Sequence, residues 1–226
     1  MQAGLDFEKA RFNMVEQQVR PWDVLDQSVL DLLFVVKREN FVPPAYRALA
    51  FSDMEIPLRI DGVDTGESMW SPKLEARVLQ EVAIRPHETV LEVGTGSGYL
   101  SALLAHKGQQ VLSVEIDPRL KAFGEANLAR AGVHNVKIEL ADASRGWQAK
   151  APYDVIVVTG SLPVLPDSLR NQLRIGGRLA VIVGEDPAME AQIVTRVSDD
   201  GYDTVRLFET SVRPLRNAVR PSSFRF

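Results

Sequence analysis

Cysteine is absent from the 226 residues, so neither a disulfide framework nor a thiolate metal site can form. Histidine is scarce, and the three copies, His87, His106 and His134, show no metal-ligand spacing, so no metal is expected. His87 falls in a helix-to-strand loop, His106 near a helix end and His134 in a turn, which are surface positions rather than those of a catalytic base. No apolar run approaches the ~18 residues of a membrane span. Residues 1–20 interleave Asp6, Glu8, Lys9, Arg11 and Glu16 with apolar positions, which breaks any signal-peptide core; the expectation is a cytoplasmic protein. An excess of basic charge is also missing. A net charge of −4 and a pI near 5.5 argue against a dominant nucleic-acid footprint. The Walker ending Gly-Lys-Ser/Thr does not occur, which removes the triphosphate cradle.

What is present concentrates in one stretch, Val90-Leu-Glu-Val-Gly-Thr-Gly-Ser-Gly-Tyr99. An apolar β-type run delivers Glu92 and then a turn with Gly94, Thr95, Gly96, Ser97 and Gly98, followed at once by a helical pattern. Glycine lets such a turn take left-handed dihedrals and lets a ligand approach the backbone. The dinucleotide fingerprint would place its third glycine at 99, which is Tyr here. The pattern acid-x-Gly-x-Gly-x-Gly resembles instead the first motif of S-adenosylmethionine-dependent methyltransferases.

Two further acids continue the series. Val111–Glu115 reads as a strand ending in a carboxylate about 20 residues beyond the turn, the separation of a ribose-binding acid. Val136–Leu140 reads as a third strand, closed by Ala141-Asp142-Ala143, where the methyltransferase pattern places an acceptor for the adenine amino group. Ile116, Ala143 and Thr159 complete the expected cofactor lining. The plain alternative is that Glu115 and Asp142 only terminate strands.

The length suits one domain of about 150–200 residues with an extension. Residues 7–19 and 26–38 have helical apolar spacing, 51–71 reads as a loop, and Ser71-Pro72 opens a helix over 72–84 as N-cap and N1. Strand and helix then alternate from 89 to 184, with late strands at 155–158 and 179–183. Residues 192–197 and 204–208 form a closing antiparallel pair around Asp199-Asp-Gly201. The expected fold is α/β: a Rossmann-like, doubly wound, mostly parallel sheet with an antiparallel closing strand. Residues 1–71 form an N-terminal helical extension and acceptor-side loop, and 72–226 the cofactor-binding domain, in one compact unit.

Beyond the glycine turn, Met14-Val-Glu-Gln-Gln18, Val36–Pro43, Asp53 with Ile56-Pro-Leu58, Pro152–Thr159 and Leu173–Leu179 together resemble the protein-L-isoaspartate O-methyltransferases over nearly the whole chain. The resemblance implies S-adenosyl-L-methionine as cofactor and methyl transfer to the carboxylate of isoaspartyl residues in damaged proteins. It implies a protein or peptide partner and neither nucleic acid nor membrane.

The acceptor side departs from that family. Its segment Thr-Ile-Ser-Gln-Pro aligns with Ser68-Met69-Trp70-Ser71-Pro72, so Trp70 stands where the family's serine hydroxyl meets the acceptor. Ser71 comes one place late and is open to use as an N-cap. The connection after Leu58 is longer than usual. The family's Val-Pro-Leu becomes Arg213-Pro214-Leu215, either a clamp for an acceptor carboxylate or one of several solvated charges with Arg206, Arg216, Arg220 and Arg225. Trp70, Ser71 and Arg213 are therefore the candidate acceptor-side catalytic residues. Trp70 either faces the acceptor pocket or packs in the core beside Met69. A different acceptor, or cofactor binding without turnover, stays open.

Overall fold

In the computed structural model, residues 6–220 are described. Asp6 opens α1 (Phe7–Met14) by accepting from the Lys9 amide, and Asp26 opens α2 (Gln27–Val35) by accepting from the Ser28 amide. Regular helix is shorter than the apolar spacing over 7–19 and 26–38 predicts. The first helix widens into a π-turn at Val15–Val19, just ahead of Pro21, which has no amide to continue the ladder. The second stops because Val36 turns extended and carries Arg38 into the interior, where it is fully buried.

The predicted loop over 51–71 is mostly a hairpin, and this is a correction. Antiparallel β1 (Ile56–Ile60) and β2 (Val63–Met69) pair through Ile60–Val63, with Asp61 and Gly62 both at positive φ as a two-residue turn. The longer connection noted in the sequence is this hairpin. Its strands were hidden because the polar run Val-Asp-Thr-Gly-Glu-Ser-Met lacks apolar alternation.

The remaining elements are α3 (Pro72–Val82), β3 (Thr89–Val93), α4 (Tyr99–Lys107), β4 (Gln110–Glu115), α5 (Pro118–Arg130), β5 (Val136–Leu140), β6 (Tyr153–Leu162), α6 (Asp167–Arg170), β7 (Leu173–Glu185), β8 (Ala188–Arg196) and β9 (Tyr202–Thr210). The seven-stranded sheet has the order β5-β4-β3-β6-β7-β8-β9. Pairs from β5 to β7 are parallel, and β7–β8 and β8–β9 are antiparallel. The chain runs outward from β3 to β5, then returns to β6 on the other side of β3. That reversal opens a crevice beyond the carboxyl ends of β3 and β6, where open α/β sheets bind ligands.

Side chains alternate across the sheet. Val90, Val111, Val155 and Val157 join a core with the N-terminal helices, α3, α4 and α5, while Leu91, Val93, Leu112, Ile156 and Val158 face the second core with Leu162 and Leu169. Among the described residues, no helix is long and apolar enough to cross a membrane.

Candidate cofactor and acceptor site

The crevice holds a cavity of about 920 Å³, counting its open mouth. Gly94–Ser97, Glu115, Ile116, Asp142, Ala143 and Thr159 line it, together with Trp70 and Arg213. Residues from the ends of β3, β4, β5 and β6 thus converge as the strand-end reading requires.

The turn is held from below and from the side. Gly94 has φ +96°, and a Cβ there would lie 2.2 Å from Thr159 Oγ1, which donates to the Val93 and Gly94 carbonyls at 2.8 and 2.9 Å. Gly96 has φ +54°, but its Cβ would meet only Leu58 Cδ1 at 3.3 Å. Glu115 lines the cavity and accepts from the amides of Gly96, Ile116 and Asp117 at 2.8–2.9 Å.

Glu92 sits elsewhere than a cofactor ligand would. It is fully buried beneath the turn, where one carboxylate oxygen accepts from Ser101 and from Ser113 and the other has no partner. Burial pushes its pKa up to about 8 against those two hydroxyls. Ser113 also bonds Thr95 Oγ1 at 2.6 Å, so Glu92 supports the turn through hydroxyls. Gly98, the N-cap of α4, likewise lies behind the wall, packed on Gly124.

Asp142 keeps one oxygen on the Ser144 amide and the other on Asn217 Nδ2 at 2.8 Å. Desolvation opposes its charge, but these donors outweigh it and hold the carboxyl below its usual range.

On the acceptor side, Trp70 is 7% exposed; it lines the cavity and also belongs to the apolar core, so the two alternatives coincide. Ser71 occupies the N-cap position of α3, yet its hydroxyl makes no capping bond and does not reach the cavity wall. Arg213 donates to the Gly66 carbonyl at 2.7 Å. Arg216 is not a loose tail charge: it pairs with Glu67 at 2.6 Å and Asp117 at 3.4 Å and donates to the Thr65 carbonyl. Arg206 lies beside Glu190, Arg220 is exposed, and Arg225 lies outside the described residues.

Three charged cavity residues were not among the site candidates from the sequence: Glu67, Glu75 and Arg216, the last grouped there with the solvated charges. Burial pushes Glu75 up to about 7, with Arg38 pulling it back. The only sequence signal near them was Asp61-Gly62, a hairpin dipeptide that would have brought Glu67 to the crevice. None of the histidines lines the cavity, and no cluster suited to a metal occurs among the described residues.

The sheet order, the glycine turn and the strand-end acids define a Rossmann-like methyltransferase. The family model for protein-L-isoaspartate(D-aspartate) O-methyltransferase matches residues 10–215, and the chain belongs to that family. Protein-L-isoaspartate O-methyltransferase 2 of Marinobacter nauticus is 34% identical over 213 residues, covering 94% of this chain and 95% of that protein. The Protochlamydia amoebophila protein-L-isoaspartate O-methyltransferase is 37% identical over 193 residues, covering 85% and 89%. A Plasmodium falciparum structure of this type, solved with S-adenosyl-L-homocysteine, superposes with a TM-score of 0.77 over 93% of this chain and 98% of its own; at 20% identity this likeness concerns the fold.

Proposed function

We propose that the chain methylates the side-chain-derived carboxylate of isoaspartyl residues in damaged proteins, using S-adenosyl-L-methionine. Family membership together with the cavity at the glycine turn carries this reading. The cavity's chemistry fits the cofactor. Three acids, Glu67, Glu115 and Asp142, line it besides Glu75, whose charge Arg38 takes up, and its two arginines come from the 213–216 segment. Such a lining suits a cationic ligand with a ribose diol better than a phosphate-bearing one. When bound, the cofactor supplies an electrophilic methyl on a positively charged sulfur.

The protein's part is orientation and exclusion of water. In this reading Glu115 accepts from ribose hydroxyls, and Asp142 from an exocyclic amine. An isoaspartyl carboxylate is ionised at neutral pH, so no general base is needed. Catalysis then rests on aligning the reacting atoms and drying the path. Trp70 walls that path, and Arg213 keeps donors on its planar fork for the incoming carboxylate. Residues 1–71 supply most of the acceptor side, joined by Arg213, and the rest of 72–226 the cofactor side. Cytoplasmic residence and protein acceptors belong to the same proposal.

Trp70 in the serine register favours a second reading, in which the acceptor differs. Labelled cofactor with isoaspartyl and normal aspartyl peptides separates the readings. Base-labile label on the isoaspartyl peptide alone is the expected result. Product binding without transfer to it would reject the first reading.

A further inference from the structure

Arg38 is fully buried, and its guanidinium reaches two groups five residues apart. Nη1 donates to the Glu75 carboxylate, and Nη2 donates to the Trp70 carbonyl at 2.6 Å. The same guanidinium lies over the Tyr99 ring, 5.0 Å from its centroid. Trp70 falls between two ordered elements. Met69 before it pairs with Ile56 in the hairpin, and the Ser71 carbonyl after it accepts from the Leu74 and Glu75 amides in the first turn of α3. The Trp70 carbonyl belongs to neither ladder, and a buried carbonyl requires a partner. Arg38 provides it, and Glu75 balances the buried charge.

The indole stands between two spaces. On one side is the cofactor cavity, which Glu75 also lines; on the other is a small, nearly filled apolar pocket, walled by Val78, Val158, Ala180, Ile182, Ile193 and Leu207. That pocket holds no more than about one water, so an indole with a loosened backbone would tilt within its place rather than leave it, and the acceptor would meet an unsteady wall.

We infer that Arg38 and Glu75 are positioning residues for the acceptor side: they pin the Trp70 peptide and so hold the indole as the partition between cavity and pocket. The inference rests on the acceptor reading above. Neither residue touches the reacting atoms, so their loss should alter acceptor recognition and leave cofactor binding intact.

The test uses the full chain with Trp22→Phe and Trp147→Phe, so that Trp70 alone fluoresces. Glu75→Gln removes the balancing charge and leaves Arg38 buried and unpaired, which threatens folding. The double variant Arg38→Met with Glu75→Leu removes the anchor without an orphan charge. In whichever variant melts cooperatively, acrylamide quenching of Trp70 should change, and calorimetric affinity for S-adenosyl-L-homocysteine should not. KM for an isoaspartyl peptide should rise about tenfold, and kcat should fall as well, because the indole also keeps water from the transfer path. Unaltered quenching, or an unaltered acceptor KM, in the folded double variant overturns the inference. Should the parent show no turnover on isoaspartyl peptide, the functional reading fails, and the quenching result alone decides the anchor.

Discussion

Two glycines two residues apart in the same turn carry different burdens. At Gly94 both the left-handed backbone and the Thr159 hydroxyl forbid a side chain, so Gly94→Ala should destabilise the fold by about 1–3 kcal/mol. Removing the hydroxyl as well, with Thr159→Ala, should recover part of that loss in a denaturant double-mutant cycle. Strict additivity there would mean that the contact is not the cause. At Gly96 the neighbour is a yielding leucine methyl. Gly96→Val should cost about 1–3 kcal/mol for its left-handed backbone alone, keep a cooperative melt and abolish binding of S-adenosyl-L-homocysteine. Glu115→Ala removes charge-assisted hydrogen bonds worth about 1.5–3 kcal/mol each, a weakening of roughly 10- to 150-fold. It also frees the Gly96 amide. Calorimetry showing undiminished affinity would exclude Glu115 from the ribose contact.

Among the elements, the β1–β2 hairpin is fastened by partners distant in the chain. Arg216 binds Thr65 and Glu67 across 151 and 149 residues, and Arg213 binds Gly66 across 147. These arginines fasten the hairpin to the segment that follows β9, over the cavity. Arg216 is 37% exposed, so Arg216→Ala should cost global stability only about 1 kcal/mol or less. Its effect should be local: faster amide exchange at residues 65–67, with protection in β3 and β4 unchanged. Equal loss of protection in both regions would show that the clasp is not a local fastening. The hairpin escaped recognition along the chain because short polar strands show little periodicity, whereas the parallel strands announced themselves as apolar runs.

For the whole molecule, the buried acid under the turn couples folding to pH. Glu92 titrates near 8 in the folded chain, whereas an unfolded glutamate releases its proton above about 4–5. The folded state thus holds the extra proton, and the stability from this group is present at low pH and falls as pH rises from about 5 through 8. Glu92→Gln cannot titrate but still accepts from Ser101 and Ser113. Denaturant titrations should show a fall from pH 5 to 8 that is shallower in the variant by about 1–3 kcal/mol. Parallel pH profiles would reject the buried proton.

The sequence by itself determined the sheet and its ligand edge, because backbone demands and strand-end positions are local. Glycine spacing specified the turn, and apolar runs ending in Glu115 and Asp142 specified which carboxylates reach the crevice. Only the tertiary structure decided that Glu92 supports the turn from below, that Arg38 and Glu75 are buried behind Trp70, and that Arg216 clasps the hairpin. A charged residue looks solvated in sequence. Whether it is paired depends on a counter-charge 37 or 149 residues away, and chain folding alone brings the two together.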